Sequence, residues 1–101
     1  MSSLPTSTAQ RIRVLVVGLG TMGTSHARAY GAIEEFELVG LCTSRAAARH
    51  DLEAEFPGLP RFERFEEALT TLRPDAVAIC TYTEHHAAMV LQALEIGRAH
   101  V

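Results

Sequence analysis

The sequence predicts an α/β domain: a doubly wound parallel sheet in three layers, α/β/α, cut short in its fifth strand. Three observations predict it. Short apolar runs rich in β-branched residues alternate with stretches of helical periodicity. The runs "VLVV", "LVGLC" and "AVAIC" are apolar almost throughout rather than at every second residue, as strands buried on both faces are. The first run passes directly into "GLGTMG", a glycine-rich turn that opens a helix.

In order along the chain, "MSSLPTSTAQ" is polar and rich in Ser and Thr, and residues 1–10 read as a tail outside the fold. Residues 11–101 read as one domain. Arg11 to Val17 forms the first strand. A helix over residues 22–33 follows, with Met22, His26, Ala29, Tyr30 and Ile33 at helical spacing, which makes His26 a core histidine. Phe36 to Cys42 is the second strand. Ser44 is placed to cap a helix that reaches about Phe56, with Ala48, Leu52 and Phe56 four apart on one face. "GLPRF" is a turn with a short strand. Phe65, Leu69 and Leu72 mark a further helix, ended before Pro74. Asp75 to Cys80 is a strong strand. Thr83 caps a helix from Glu84 to Ile96, ended by Gly97, and "RAHV" begins a fifth sheet strand.

In such sheets the crossovers are right-handed. Ligands then bind beyond the carboxyl ends of the strands, near the point where strand order reverses. Three loops fall there: Gly18–Thr24, Thr43–Arg45 and Thr81–His86. The first has the spacing Gly-x-Gly-x-x-Gly. Gly18 serves the tight turn, Gly20 lets a pyrophosphate lie on the backbone, and Gly23 lets the helix pack closely on the strand. The helix start at Thr21, Met22 and Gly23 offers unpaired N–H groups and partial positive charge. No Lys-Ser or Lys-Thr pair follows, so this is not the phosphate loop of ATPases. The expected ligand is a dinucleotide.

Twenty residues beyond Gly23, where NAD-binding folds place a carboxylate for the ribose 2′-OH, stands Thr43 in "LCTSRAAAR". The loop offers the hydroxyls of Thr43 and Ser44 and the guanidinium of Arg45, a planar cation suited to a 2′-phosphate. Arg49 is a weaker second candidate. The expectation is NADP in preference to NAD.

The chain has 101 residues, 48% of them hydrophobic and 21% charged, with a net charge of −3. That charge leaves no basic footprint for nucleic acid. No apolar run approaches the roughly 20 residues of a membrane span, and the N-terminus lacks the basic start and apolar core of a secretory signal. Two cysteines, Cys42 and Cys80, lie inside apolar runs and read as free thiols of a cytoplasmic protein. No spacing among the His and Cys residues forms a metal site.

The motifs "VGLGTMGTSHARAY" and "DAVAICTYTEHHAAMVLQALEIGRAHV" resemble the nucleotide-binding half of the Gfo/Idh/MocA oxidoreductases, a Rossmann-type domain. Gly18, Gly20, Met22, Gly23 and His26 match that family's opening. Thr81 and His86 match its Ala-Thr-Pro-x-x-x-His loop, in which Tyr82 replaces the proline. The resemblance implies cofactor contacts from Thr81, Tyr82 and His86. It implies hydride transfer between the nicotinamide and a hydroxyl-bearing carbon of a small-molecule substrate, a sugar or cyclitol. The family's usual catalytic lysine, in a Glu-Lys-Pro motif, would lie beyond Val101, as would its substrate domain. The chain therefore reads as the cofactor-binding part of a parent protein, itself expected to be a homo-oligomer, and inactive alone. Some relatives bind the cofactor and act as transcriptional regulators, so a non-catalytic dinucleotide-binding regulator is the alternative.

Overall fold

The structure is a computed structural model and describes residues 11–81. The elements in order are β1 (Ile12–Val17), α1 (Thr21–Ala32), β2 (Phe36–Cys42), a 3₁₀ turn (Ala46–Ala48), α2 (His50–Glu55), β3 (Arg61–Phe62), α3 (Phe65–Leu72) and β4 (Ala76–Ile79). The helix expected over Glu84–Ile96 and the fifth strand lie outside the described residues.

All strand pairs are parallel, and the sheet order is β3-β2-β1-β4. The chain moves outward from β1 through β2 to β3, then crosses back to lay β4 on the other side of β1. The order reverses there, which makes this the doubly wound, Rossmann-type arrangement. The register of β1 on β2 shifts between Val14 and Leu15, so that Val14 lies opposite Leu38 and Leu15 opposite Gly40.

The continuous apolar runs are explained by two cores. On one face Leu15, Val17, Cys42, Val77 and Ile79 pack against Phe65, Ala68 and Leu69 of α3. On the other, Val14, Val16 and Leu41 pack against Leu19, Ala27 of α1 and Leu52 of α2. Successive strand residues point to opposite faces, so a strand covered on both sides must be apolar at every position. Tyr30 meets Phe36 edge-on, with ring centroids 5.0 Å apart, closing the base of α1 against β2.

Two helices differ from the sequence expectation. In α1 the buried residues are Gly23 and Ala27, whereas Met22 is 67% exposed, Ile33 is 42% exposed and His26 and Ala29 face outward. His26 is therefore not a core histidine. The cause is Gly23: a Cβ there would overlap the carbonyl oxygen of Gly18, so this residue has to face the sheet, and it fixes the rotation of the helix. The expected single helix from Ser44 to Phe56 is broken. Arg45, not Ser44, precedes the 3₁₀ turn, with φ 54°, and no side chain caps it. Arg49 follows with φ −88° and ψ 73°, outside helical geometry. Its carbonyl accepts a 2.6 Å hydrogen bond from Arg61 Nη1, which holds it away from a continuous helix.

Candidate functional site

A cleft of about 1190 Å³ runs from the carboxyl edge of the sheet along α1 toward the strands' amino ends, where Tyr30, Phe36 and Ala76 line it. Its floor is apolar: Val14, Val17, Ala76, Ala78 and Ile79 line it. Its rim carries Gly18, Gly20, Thr21, Met22 and Gly23 from the turn into α1, Thr43 and Ser44 from beyond β2, Glu63 from beyond β3, and Thr81 from beyond β4. His26 also lines it. Thus eight of the sequence-predicted residues are brought together. Arg45 does not line the cleft: it is exposed in the left-handed backbone conformation that starts the 3₁₀ turn. Tyr82 and His86 lie outside the described residues.

The three glycines of the turn have three separate physical causes. Gly18 has φ 86°, a region L-residues rarely enter, and a Cβ there would stand 2.7 Å from the Cys80 carbonyl oxygen. Its own N–H donates to the Cys42 carbonyl at 2.8 Å, and Cys80 N–H donates to Val17 at 2.7 Å. The turn is thereby pinned between β2 and β4. Gly23, as above, admits the helix onto the turn. Gly20 is different. Its φ of −78° suits any residue, and apart from its chain neighbours no described heavy atom lies within 4 Å of the position its Cβ would take. Nothing in the described protein requires a glycine here, and the open space is the cleft.

Gly20 is also the N-cap of α1, without a side-chain cap hydrogen bond. The first turn holds no acidic residue. The leading N–H groups of a helix have no intrahelical partner, and together they carry partial positive charge. The protein leaves that charge uncompensated, at the point where it leaves space above Gly20. Thr24 stiffens the turn, its N–H donating to the Gly20 carbonyl at 2.9 Å and its hydroxyl to Leu19 at 3.3 Å. An elongated anion fits these residues: N–H donors, a glycine whose side chain would fill the cradle, and an apolar floor for a flat ring.

The side chains of the cleft are poor in reactive groups. Burial pushes the Cys42 thiol up to about 11 and raises that of Cys80 as well, so both stay protonated near neutral pH. Both are free thiols. Among the described residues no three or more His, Cys, Asp or Glu gather as a metal site, and no helix is long and apolar enough to cross a membrane.

Sequence reading missed Glu63 and treated His26 as core. The signal for Glu63 was present, because a short strand at Arg61–Phe62 parallel to β2 carries its next residue to the same edge as Thr43. Thr43 N–H donates to the Phe62 carbonyl at 2.9 Å, which sets that level.

Comparison with known proteins agrees with this geometry. Residues 12–101 match the family model described as an oxidoreductase family with an NAD-binding Rossmann fold, Gfo/Idh/MocA. The chain is 29% identical over 91 residues to D-glucoside 3-dehydrogenase of Escherichia coli (strain K12), covering 89% of this chain and 26% of that protein. Among solved structures it resembles UDP-N-acetylglucosamine 3-dehydrogenase from Acidithiobacillus ferrooxidans, with 31% identity and a TM-score of 0.72 over 86% of this chain and 27% of that one. It also resembles scyllo-inositol dehydrogenase from Lactobacillus casei, solved with NAD(H) and scyllo-inositol, with 28% identity and a TM-score of 0.76 over 87% of this chain and 26% of that one. The chain thus spans about a quarter of the length of these relatives.

Proposed function

This chain belongs to the Gfo/Idh/MocA oxidoreductase family, and from that premise we propose that it is the cofactor-binding part of an NAD(P)-dependent dehydrogenase. The parent protein acts on a hydroxyl-bearing carbon of a sugar or cyclitol. The observation that carries the reading is Gly20, a glycine that neither the backbone conformation nor any neighbour among the described residues demands, set at an uncapped helix start facing open space.

When bound, the dinucleotide supplies the hydride chemistry at its nicotinamide ring. The chain's own residues bind and orient it. The N–H groups of Thr21, Met22 and Gly23 hold the pyrophosphate, over Gly20. Gly18 turns the chain tightly enough to present them. Thr43 and Ser44 offer hydroxyls to the adenosine ribose, and the apolar floor excludes water from the rings. Thr81, with Tyr82 and His86 by family resemblance, serves the nicotinamide side. The residue that moves the substrate proton we assign to a lysine outside this chain, in keeping with the quarter of the relatives' length that the chain spans. The substrate-binding part and the assembly of subunits are assigned to the parent in the same way.

The loop after β2 contains no carboxylate, and Thr43 and Ser44 leave it neutral toward a 2′-phosphate. Arg45 stands outside the cleft lining. The loop therefore permits NADP without selecting it. Fluorescence titration of the chain with NADH and NADPH tests the binding role. Cofactor reduction by the parent protein over a panel of sugars and cyclitols tests the reaction. Absence of binding to either dinucleotide overturns the proposal.

A further inference from the structure

The cleft is nearly neutral. Among the described residues that line it, one side chain carries a formal charge at neutral pH with histidine neutral, and it is Glu63. Resting on the dinucleotide reading above, we propose that Glu63 is the cofactor-selecting residue: a carboxylate delivered from β3 that accepts hydrogen bonds from the adenosine ribose hydroxyls and repels a 2′-phosphate, so that the site takes NAD ahead of NADP.

The argument begins with sheet order. β1 and β4 flank the reversal, and the turn at Gly18–Gly23 holds the middle of the ligand. The remaining rim, beyond β2 and β3, is on the far side of that turn from β4. A dinucleotide whose pyrophosphate lies on the α1 start and whose nicotinamide lies toward β4 must place its adenosine beyond β2 and β3. The usual acceptor of the ribose hydroxyls comes from the end of β2. Here Thr43 and Ser44 occupy that end.

Parallel neighbours lie about 4.8 Å apart. Cys42 pairs with Phe62, and Thr43 N–H is bonded to the Phe62 carbonyl at 2.9 Å. Glu63 therefore sits level with Thr43, one strand spacing away, a gap that a glutamate side chain spans. It lines the same cleft as Thr43 and Ser44. It is exposed, and among the described residues no hydrogen bond or ion pair uses its carboxylate.

The nearby cations lie outside this cleft, and Arg61 and Arg64 line a neighbouring pocket that Glu63 also borders. Arg49 forks onto Asp51 through bonds of 3.0 and 2.9 Å, and Arg61 binds the Arg49 carbonyl and Glu53. Arg45 and Arg64 are exposed and do not line the cleft. Among the described residues that line the cleft, a 2′-phosphate placed beside Glu63 would meet a like charge and no cation. A 2′-hydroxyl would meet an acceptor.

The test is fluorescence titration with NADH and NADPH of the wild-type chain, Glu63→Gln and Glu63→Arg, with circular dichroism to establish that each variant is folded. Wild type is expected to prefer NADH by tenfold or more. Glu63→Gln keeps the shape and removes the charge, so the NADH-to-NADPH preference should fall about tenfold, chiefly by tighter NADPH binding. Glu63→Arg should turn the preference toward NADPH. Folded variants that bind both dinucleotides with the wild-type ratio would overturn the assignment of Glu63 while leaving the dinucleotide reading intact. A wild-type preference for NADPH would overturn it too. If neither dinucleotide binds the wild type, the underlying reading fails and this assignment with it.

Discussion

The three glycines of the turn make a matched series in which stability and binding should separate. Gly20→Val introduces a branched side chain at φ −78° and ψ −159°, an extended conformation that valine favours. Its Cβ meets nothing outside the adjoining backbone within 4 Å. The folding cost is confined to a poorer N-cap, so stability should change by no more than about 1 kcal/mol. The same side chain fills the space over the helix start. Loss of two charge-assisted N–H bonds at roughly 1.5–3 kcal/mol each weakens the dinucleotide by at least about a hundredfold. Gly18→Ala and Gly23→Ala should do the reverse of this in their first effect, damaging the fold itself. At Gly18 the left-handed backbone costs a non-glycine residue about 1–2 kcal/mol. The added methyl also meets the Cys80 carbonyl oxygen at 2.7 Å and Thr81 Cγ2 at 2.9 Å. At Gly23 the methyl overlaps the Gly18 carbonyl, and backbone has to move. Against a total of about 5–15 kcal/mol for a small domain, each should lower the urea midpoint visibly. Urea unfolding followed by circular dichroism, paired with NADH fluorescence titration, measures both quantities on each variant. A folded Gly20→Val chain with wild-type affinity would falsify the pyrophosphate assignment. Wild-type stability in Gly23→Ala would show that the helix does not need to approach the turn so closely.

Two further outcomes follow from the same geometry. Arg45→Ala should leave the NADH-to-NADPH ratio within about threefold of wild type, because Arg45 is exposed and does not line the cleft; a tenfold or greater loss confined to NADPH would show that Arg45 reaches the 2′-phosphate. Cys42 should resist thiol reagents in the folded chain and react on unfolding. Its folded value is raised to about 11 by burial, so its contribution to stability is whole below the ordinary thiol range and is lost as pH rises from about 9 toward 11. Cys42→Ser, without that raised thiol, should show a shallower loss of stability over the same interval.

Much of the fold was legible because its causes are local. β2 runs from Phe36 to Cys42 and α3 from Phe65 to Leu72, where the apolar run and the helical spacing put them. The misreadings have non-local causes. The face of α1 was read from the hydrophobicity of Met22 and Ile33, yet the helix is turned by a steric demand between Gly23 and Gly18. The helix after Ser44 was read as continuous because Ala46, Ala47 and Ala48 favour helix. It is interrupted where Arg61, twelve residues on, takes the Arg49 carbonyl. The glycine turn was legible as a turn, since a positive φ at Gly18, a close approach at Gly23 and open space at Gly20 each leave the same mark in sequence. Tertiary contacts alone could tell the three apart.

Cofactor choice shows why loop counting and spatial reading lead to different expectations. Counting from the glycines finds Thr43, Ser44 and Arg45, and a loop with a cation and no carboxylate points to NADP. A 2′-phosphate, however, responds to the charges that share its cleft, whatever strand supplies them. The two-residue strand β3 sets Glu63 one strand spacing from Thr43 and on the cleft. The backbone turn at Arg45, φ 54°, takes the cation out of the cleft lining. On our proposal these two displacements act in the same direction: one removes the attraction that favours the phosphate, and the other supplies an acceptor for the hydroxyl. The sign of the preference then depends on the side chain at residue 63 more than on the loop that sequence counting selects, and the Glu63 and Arg45 variants measured side by side separate the two accounts.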